Sequence, residues 1–99
     1  MNVSFRDNEL RQNFESYRDG TRTWGEIIAR RYIDRISRIQ SAATWEDVRQ
    51  FVGFRAHPLR GGRFGEWAID LAGRWRLIVV PNPDGIAVSI EEVSNHYGD

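Results

Sequence analysis

The sequence predicts an α+β fold, with an N-terminal strand and two to three helices packed on an antiparallel sheet. Three observations predict it. Apolar residues recur at helical spacing between Leu10 and Phe51, alternate residues turn apolar from Trp67 onward, and a Gly-rich segment, FRAHPLRGGRFG, lies between the two patterns. Helices gathered in one half and strands in the other bury their apolar faces best as two layers.

Val3 and Phe5 alternate with Asn2, Ser4 and Arg6, which predicts a short first strand. Asp7 then caps a helix reaching about Tyr17, with Leu10, Phe14 and Tyr17 on one face and Asp19-Gly20 ending it. Thr23-Trp24-Gly25-Glu26 has the capping-box form and opens a long second helix. Ile28, Tyr32, Ile36 and Ile39 make its apolar stripe, with Ala29 and Ile33 beside it, while Arg31, Arg35 and Arg38 line another face. Asp34 is four residues from both Arg30 and Arg38, so part of that basic face is paired. Thr44-Trp45-Glu46-Asp47 repeats a cap-like pattern before a short helix to about Phe51.

The segment from Gly53 reads as an ordered loop. Beyond it, the runs starting at Trp67 and Trp75 pair as a hairpin, and the loop length decides which side chains share a face. A two-residue turn would set Arg76 beside Trp67 and Ile69. A three-residue loop, Ala72-Gly73-Arg74, instead pairs Leu71 with Trp75 and puts Trp67, Ile69, Leu71, Trp75, Leu77 and Val79 on one core face, with Gly73 free to take a positive φ. Asp70 and Arg76 then meet on the other face. After a turn at Pro81-Asn82-Pro83-Asp84-Gly85, Ile86, Val88 and Ile90 continue the core face, and Ser89, Glu91 and Val93 join Arg76. The phase makes Trp67 and Trp75 core residues rather than base-stacking platforms, and Glu91, on the proposed active face, reads as a solvated strand residue before it reads as a base.

Ninety-nine residues allow one core, so residues 1–99 are expected to form a single domain. With 40% hydrophobic residues, including four Trp, five Phe and three Tyr, the chain can fill that core. The absence of cysteine excludes disulfides, thiolate nucleophiles and Cys-based zinc sites. The N-terminus has no leader pattern and no apolar run approaches the ~18 residues that span a bilayer, so a soluble, cytoplasmic protein is expected. Net charge is zero, yet all 14 basic residues are arginine and they are unevenly spread. Residues 49–76 carry six arginines against Glu66 and Asp70 (6 − 2 = +4), and residues 77–99 carry four acids and no base (−4). One surface could therefore meet phosphate, or the charges simply form a solvated face.

The two histidines, His57 and His96, have no carboxylate spacing that suggests a metal, and no nucleophile elbow or phosphate-binding Gly loop is present. No metal and no cofactor are expected. What remains is a set of cationic and protic groups that the fold could gather on the solvent face of the sheet: Arg55, His57, Arg60, Arg63, Arg76 and His96. Such a set suits RNA cleavage through the 2′-OH, which needs a base for that proton, a cation for the phosphate charge and an acid for the 5′-oxygen. The bland alternative is a loop-packing histidine among solvated arginines.

Residues 57–77, HPLRGGRFGEWAIDLAGRWRL, resemble the HigB-like, plasmid-maintenance-killer branch of the RelE/ParE toxin superfamily, whose members carry HPL[K/R]G, then G-x-W-x-I, a turn and W-R. The V-S-F-R-D start, the helices ahead of the HPL segment and the length extend the resemblance over essentially the whole chain. It implies a RelE-like fold and a toxin that enters the ribosome and cuts mRNA without metal. It also implies a cognate antitoxin, expected to be a helix-turn-helix protein through which the toxin–antitoxin complex binds operator DNA. Carried over residue by residue, Arg60 and Arg76 are the phosphate and transition-state stabilisers, His57 is a ligand contact or a loop support, and His96 takes part in catalysis. Beside these, Arg55 and Arg63 of the cationic set are expected to contact RNA, and Tyr97 either does so as a relocated phenol or belongs to an altered end. The family's terminal acid-Tyr-His stretch is here Ser94-Asn95-His96, followed by Tyr97, so the histidine is kept and the general base is left open. Arg31, Arg35 and Arg38 would either touch ribosomal RNA or form a solvated helix face. Two rival functions remain: a ParE-like inhibitor of DNA gyrase, and a non-catalytic antitoxin-binding module.

Overall fold

The computed structural model describes residues 1–95. Along the chain the elements are β1 (Asn2–Phe5), α1 (Asn8–Glu15), α2 (Tyr17–Trp24), α3 (Glu26–Ser41), α4 (Trp45–Arg49), β2 (His57–Pro58), β3 (Trp67–Asp70), β4 (Arg76–Pro81) and β5 (Ala87–Ser94). One five-stranded sheet has the order β1-β5-β4-β3-β2, antiparallel except for the parallel β1–β5 pair. The helices cover one face, where Leu10, Ile28, Tyr32, Ile36 and Ile39 pack against Ile69, Leu77, Val79, Val88 and Ile90.

Asp7 caps α1 as expected, its carboxylate accepting from the Leu10 N–H at 2.9 Å. The helix stops at Glu15 and a second one begins at once. Ser16 is extended, with φ −133°, and its hydroxyl accepts from the Asp19 N–H at 3.1 Å, capping α2. A serine that captures a nearby N–H competes with the helical ladder, so the chain breaks there. Asp19-Gly20 therefore sits inside α2, where Gly20 serves close packing. A Cβ at Gly20 would lie 3.1 Å from the Asn13 carbonyl oxygen and 3.2 Å from the Ala29 Cβ.

The capping box at residues 23–26 does not form. Gly25, at φ +87°, ends α2 and leads into α3 without a side-chain cap. Thr23 instead donates its hydroxyl back to the Asp19 carbonyl at 3.0 Å. The stripe of α3 is buried as expected, and the Tyr32 hydroxyl donates to the Leu10 carbonyl at 2.7 Å inside the core.

On the arginine face of α3 only Arg35 is buried, while Arg31 stays exposed and Arg38 partly exposed, although each bonds or packs back onto the fold. Arg35 is buried, donates from Nε to the Asp70 carbonyl at 3.0 Å, pairs with Asp34 at 2.8 Å and lies 5.1 Å from the Phe54 ring centre. Arg31 donates to the Leu71 carbonyl at 2.8 Å, and Arg38 lies over Phe51 and Phe54. Arg31 and Arg35 clamp α3 to the end of β3 by donating to two carbonyls there, and Arg38 adds its packing on the two rings.

The hairpin has the three-residue loop. Leu71 donates to the Trp75 carbonyl at 3.1 Å, Gly73 takes φ +55°, and Ile69 faces Leu77 while Asp70 faces Arg76. β5 departs from the expected alternation, because its pairing with β4 shifts between Ile78 and Val79, where Val79 faces Ile90 but Ile78 faces Glu92. One extra residue on a strand reverses the phase beyond it. Val93 thus packs against the core, and Glu92 and Ser94 take the outer places expected of Glu91 and Val93. Ile86, expected in the core, precedes β5 and is 51% exposed.

Gly20→Val should lower stability by about 2 kcal/mol through overpacking at the α2–α3 contact. Urea unfolding should show a lower midpoint at unchanged slope. Burial, and then the Asp7 charge, push the Tyr32 pKa well above its ordinary value. A group whose folded pKa is raised contributes fully below its unfolded pKa of about 10 and loses that contribution as pH rises beyond it. Stability measured from pH 9 to 11.5 should therefore fall above about pH 10, and Tyr32→Phe should flatten that fall.

Candidate functional site

The sheet face turned away from the helices is set out in rows by strand register. His57, Ala68, Ile78 and Glu92 occupy one row, and Asp70, Arg76 and Ser94 the next. This face is not simply solvent-facing. Leu59 covers Ala68 and Ile78 in a small second apolar cluster, so the segment after β2 lies over the sheet. That segment was expected as loop throughout, but His57-Pro58 adds a two-residue strand beside β3. Backbone bonds close it, from the Leu59 N–H to the Glu66 carbonyl at 2.9 Å and from the Glu66 N–H to the Arg63 carbonyl at 3.1 Å.

Arg63 ties this loop to the sheet. Its Nη2 lies 2.8 Å from Glu66 and 3.2 Å from Glu92 on β5. Burial works to lower its pKa, but the hydrogen bonds and charges of Glu66 and Glu92 outweigh it and raise the value. Arg63 is thus held by two carboxylates. Arg60, in the same loop, is exposed and has no partner among the described residues.

Arg76 stands at the head of β4, and Nη1 donates to the Gly73 carbonyl at 2.8 Å and to the Trp75 carbonyl at 3.0 Å. Its Nε lies 3.0 Å from the Asp70 carboxylate, at an angle too bent for a hydrogen bond, so that buried N–H lacks an acceptor. Among the described residues Nη2 has no hydrogen-bond partner, so that edge can meet an anion. Asp70 also draws in Arg55, whose Nε is 3.5 Å away on a side chain 80% exposed. Arg55 has φ +49°, a strained value for a residue with a Cβ. The His57 ring supports that backbone, with Nδ1 3.0 Å from the Arg55 carbonyl oxygen. A carbonyl only accepts, so Nδ1 is the donor in this contact and Nε2 is turned away from it.

The face therefore gathers Arg55, His57, Arg63 and Arg76, with Arg60 at its margin. His96 and Tyr97 lie outside the described residues. Glu66, Asp70 and Glu92 neutralise Arg55, Arg63 and Arg76 (3 − 3 = 0), so an incoming phosphate must compete with Asp70 for Arg76. The cross-strand Asp70–Arg76 pair follows from the loop length. Glu92, Ser94 and the cover by Leu59 do not, and the only trace of the bulge in the sequence is the consecutive pair Glu91-Glu92 inside an alternating strand. Among the described residues no group of three or more His, Cys, Asp or Glu could hold a metal ion.

No protein-family model matches the chain, and no curated protein matches it by sequence. Solved structures do. The YoeB/ParE toxin of Agrobacterium tumefaciens superposes with a TM-score of 0.62 at 16% identity, over 98% of this chain and 100% of that one. The fold is that of the YoeB/ParE toxins. The YoeB–YefM complex of Staphylococcus aureus gives a TM-score of 0.61 at 15% identity, over 98% of both chains, and a heterotetrameric YoeB–YefM toxin–antitoxin complex from the same organism gives 0.59 at 15%. These toxins belong to the RelE/ParE superfamily, the one that residues 57–77 resemble. In this YoeB/ParE-type fold the row of Asp70, Arg76 and Ser94 is on the face of the sheet opposite the helices, with Asp70 and Arg76 partly exposed and Ser94 buried.

A double-mutant cycle with Arg63→Ala and Glu92→Gln should give a coupling of about 0.5 kcal/mol for this half-exposed pair. The coupling should shrink in about 1 M salt, where the screening length falls to about 3 Å.

Proposed function

We propose that the chain is the toxin of a type II toxin–antitoxin pair, of the HigB-like branch, acting as a ribosome-dependent, metal-independent mRNA endoribonuclease. One observation carries this reading: in a YoeB/ParE-type fold, the sheet face opposite the helices presents Arg76 with Arg55 and His57 near it, and Ser94, its strand partner, stands two residues before His96. The remaining half of the site is thus adjacent in sequence to the half described.

In this reading mRNA lies across the outer face with its scissile phosphate at the Nη2 edge of Arg76. A base removes the 2′-OH proton, the oxygen attacks phosphorus, and the 5′-oxygen leaves as it takes a proton. Arg76 and Arg60 offset the charge growing on the phosphate oxygens. His96 is the catalytic acid or base. Arg55, His57, Arg63 and Tyr97 contact RNA. The partners are the ribosome and mRNA, and a cognate antitoxin through which the complex binds operator DNA. The working place is the cytoplasm, in keeping with a fold in which no described helix is long and apolar enough to cross a membrane.

The pairing of Arg55, Arg63 and Arg76 with carboxylates favours a second reading, a toxin that binds gyrase or an antitoxin without cleaving RNA. Primer extension on a reporter mRNA in a purified translation system separates the two. Codon-phased cuts that require translation, and vanish with His96→Ala, are expected. Arg76→Ala should lower the cleavage rate on the order of 100-fold with the fold intact. Absence of cuts by folded protein would select the binding toxin.

A further inference from the structure

Phe64 stands wholly in solvent, at 100% exposure, in a chain that places its other phenylalanines and all four tryptophans in or against the core. We propose that Phe64 is a stacking platform for a base of single-stranded RNA, held beside the outer face by the loop between β2 and β3. The proposal rests on the reading of that face as RNA-contacting.

The mount is fixed although the ring is not buried. Arg63, its neighbour, is pinned by Glu66 and Glu92, and the Glu66 N–H to Arg63 carbonyl bond at 3.1 Å closes the turn around Phe64 itself. Gly62 and Gly65, at φ +83° and +87°, flank that neighbouring pair, and a Cβ at Gly61, Gly62 or Gly65 would meet nothing within 4 Å. Open space therefore surrounds the tip, and no adjacent side chain shields the faces of the ring. The anchoring residue Glu92 is two positions along β5 from Ser94, so the loop is tied about 7 Å from the row of Arg76.

Charge and shape select the occupant. Arg60, exposed and without a described partner, shares the loop and supplies a cation for a phosphate, while the ring offers a π-face to any base. An aromatic platform beside a cation is how single strands are held without sequence readout. A protein-docking anchor would instead sit within a contiguous apolar patch. Here the ring is bordered by glycines and arginine, and Leu59, the other large apolar residue of the loop, is buried on the sheet.

The test measures binding by the full chain to a short, labelled, single-stranded RNA with 2′-O-methyl sugars, which cannot be cut through a 2′-OH, using fluorescence anisotropy. Phe64→Ala should weaken binding about tenfold, or about 1.4 kcal/mol, while Phe64→Trp binds at least as well as the parent. Phe64→Leu, apolar but without a π-face, should remain weak. The same RNA as a duplex, its base faces covered, should respond little to any of the three. The proposal is overturned if the parent chain does not bind the single strand, or if the Ala and Leu variants bind as it does. It is equally overturned, in favour of a protein-docking ring, if Phe64→Ala binds RNA normally but no longer holds the antitoxin in size-exclusion chromatography. Cleavage of translated mRNA is scored separately: cuts by the parent with unchanged RNA binding in Phe64→Ala remove this proposal alone, and Phe64-dependent binding without cuts removes the nuclease alone.

Discussion

Three residues between Leu71 and Trp75, in the hairpin of β3 and β4, decide which side chains belong to the core. With Leu71 bonded to Trp75 across Ala72-Gly73-Arg74, Ile69, Leu77 and Val79 turn toward the helices and Asp70 and Arg76 turn away. A loop one residue shorter would carry Arg76 into the apolar layer and Leu77 out of it, since side chains alternate strictly along a strand. Both the packing beneath the sheet and the chemistry above it inherit this register.

Asp70 joins the two layers. Its carbonyl accepts from Arg35 of α3, its N–H donates to the Phe54 carbonyl, and its carboxylate lies between Arg55 and Arg76. The helix arginines thus work from the core side and the candidate site from the other, through one residue at the end of β3. Part of a helix face that reads as basic is thereby turned to structural use, with Arg35 buried while Arg31 stays exposed. Arg31 and Arg35 bond carbonyls at the end of the hairpin, and Arg38 covers two phenylalanines.

The outer face is a balanced field rather than a plain cationic patch. Carboxylates hold Arg55, Arg63 and Arg76 in place, which fixes their geometry and makes an anion compete for them. The Arg55 and Arg63 pairs, at exposed and half-exposed positions, are weak enough to be exchanged for a phosphate, while the more buried Arg76–Asp70 pair is the stronger competitor. The segment over the face has a built-in cost at Arg55, whose left-handed backbone is held by the His57 ring and by the Asp70 carboxylate.

By itself the sequence determined the fold class, the first strand, the Asp7 cap, the buried stripe of α3 and the hairpin register, because each follows from local capping chemistry or from one period of apolar residues. It also placed Asp70 opposite Arg76, since that pairing depends only on a loop length. The tertiary structure alone decided the rest. Ser16 broke the first helix because its hydroxyl found an N–H, and Gly20 was needed for contact between helices rather than for a helix end. The bulge exchanged Glu91 and Val93 for Glu92 and Ser94, and Leu59 folded over Ala68 and Ile78. Those outcomes depend on contacts between residues far apart in the chain, which no period, cap or spacing encodes.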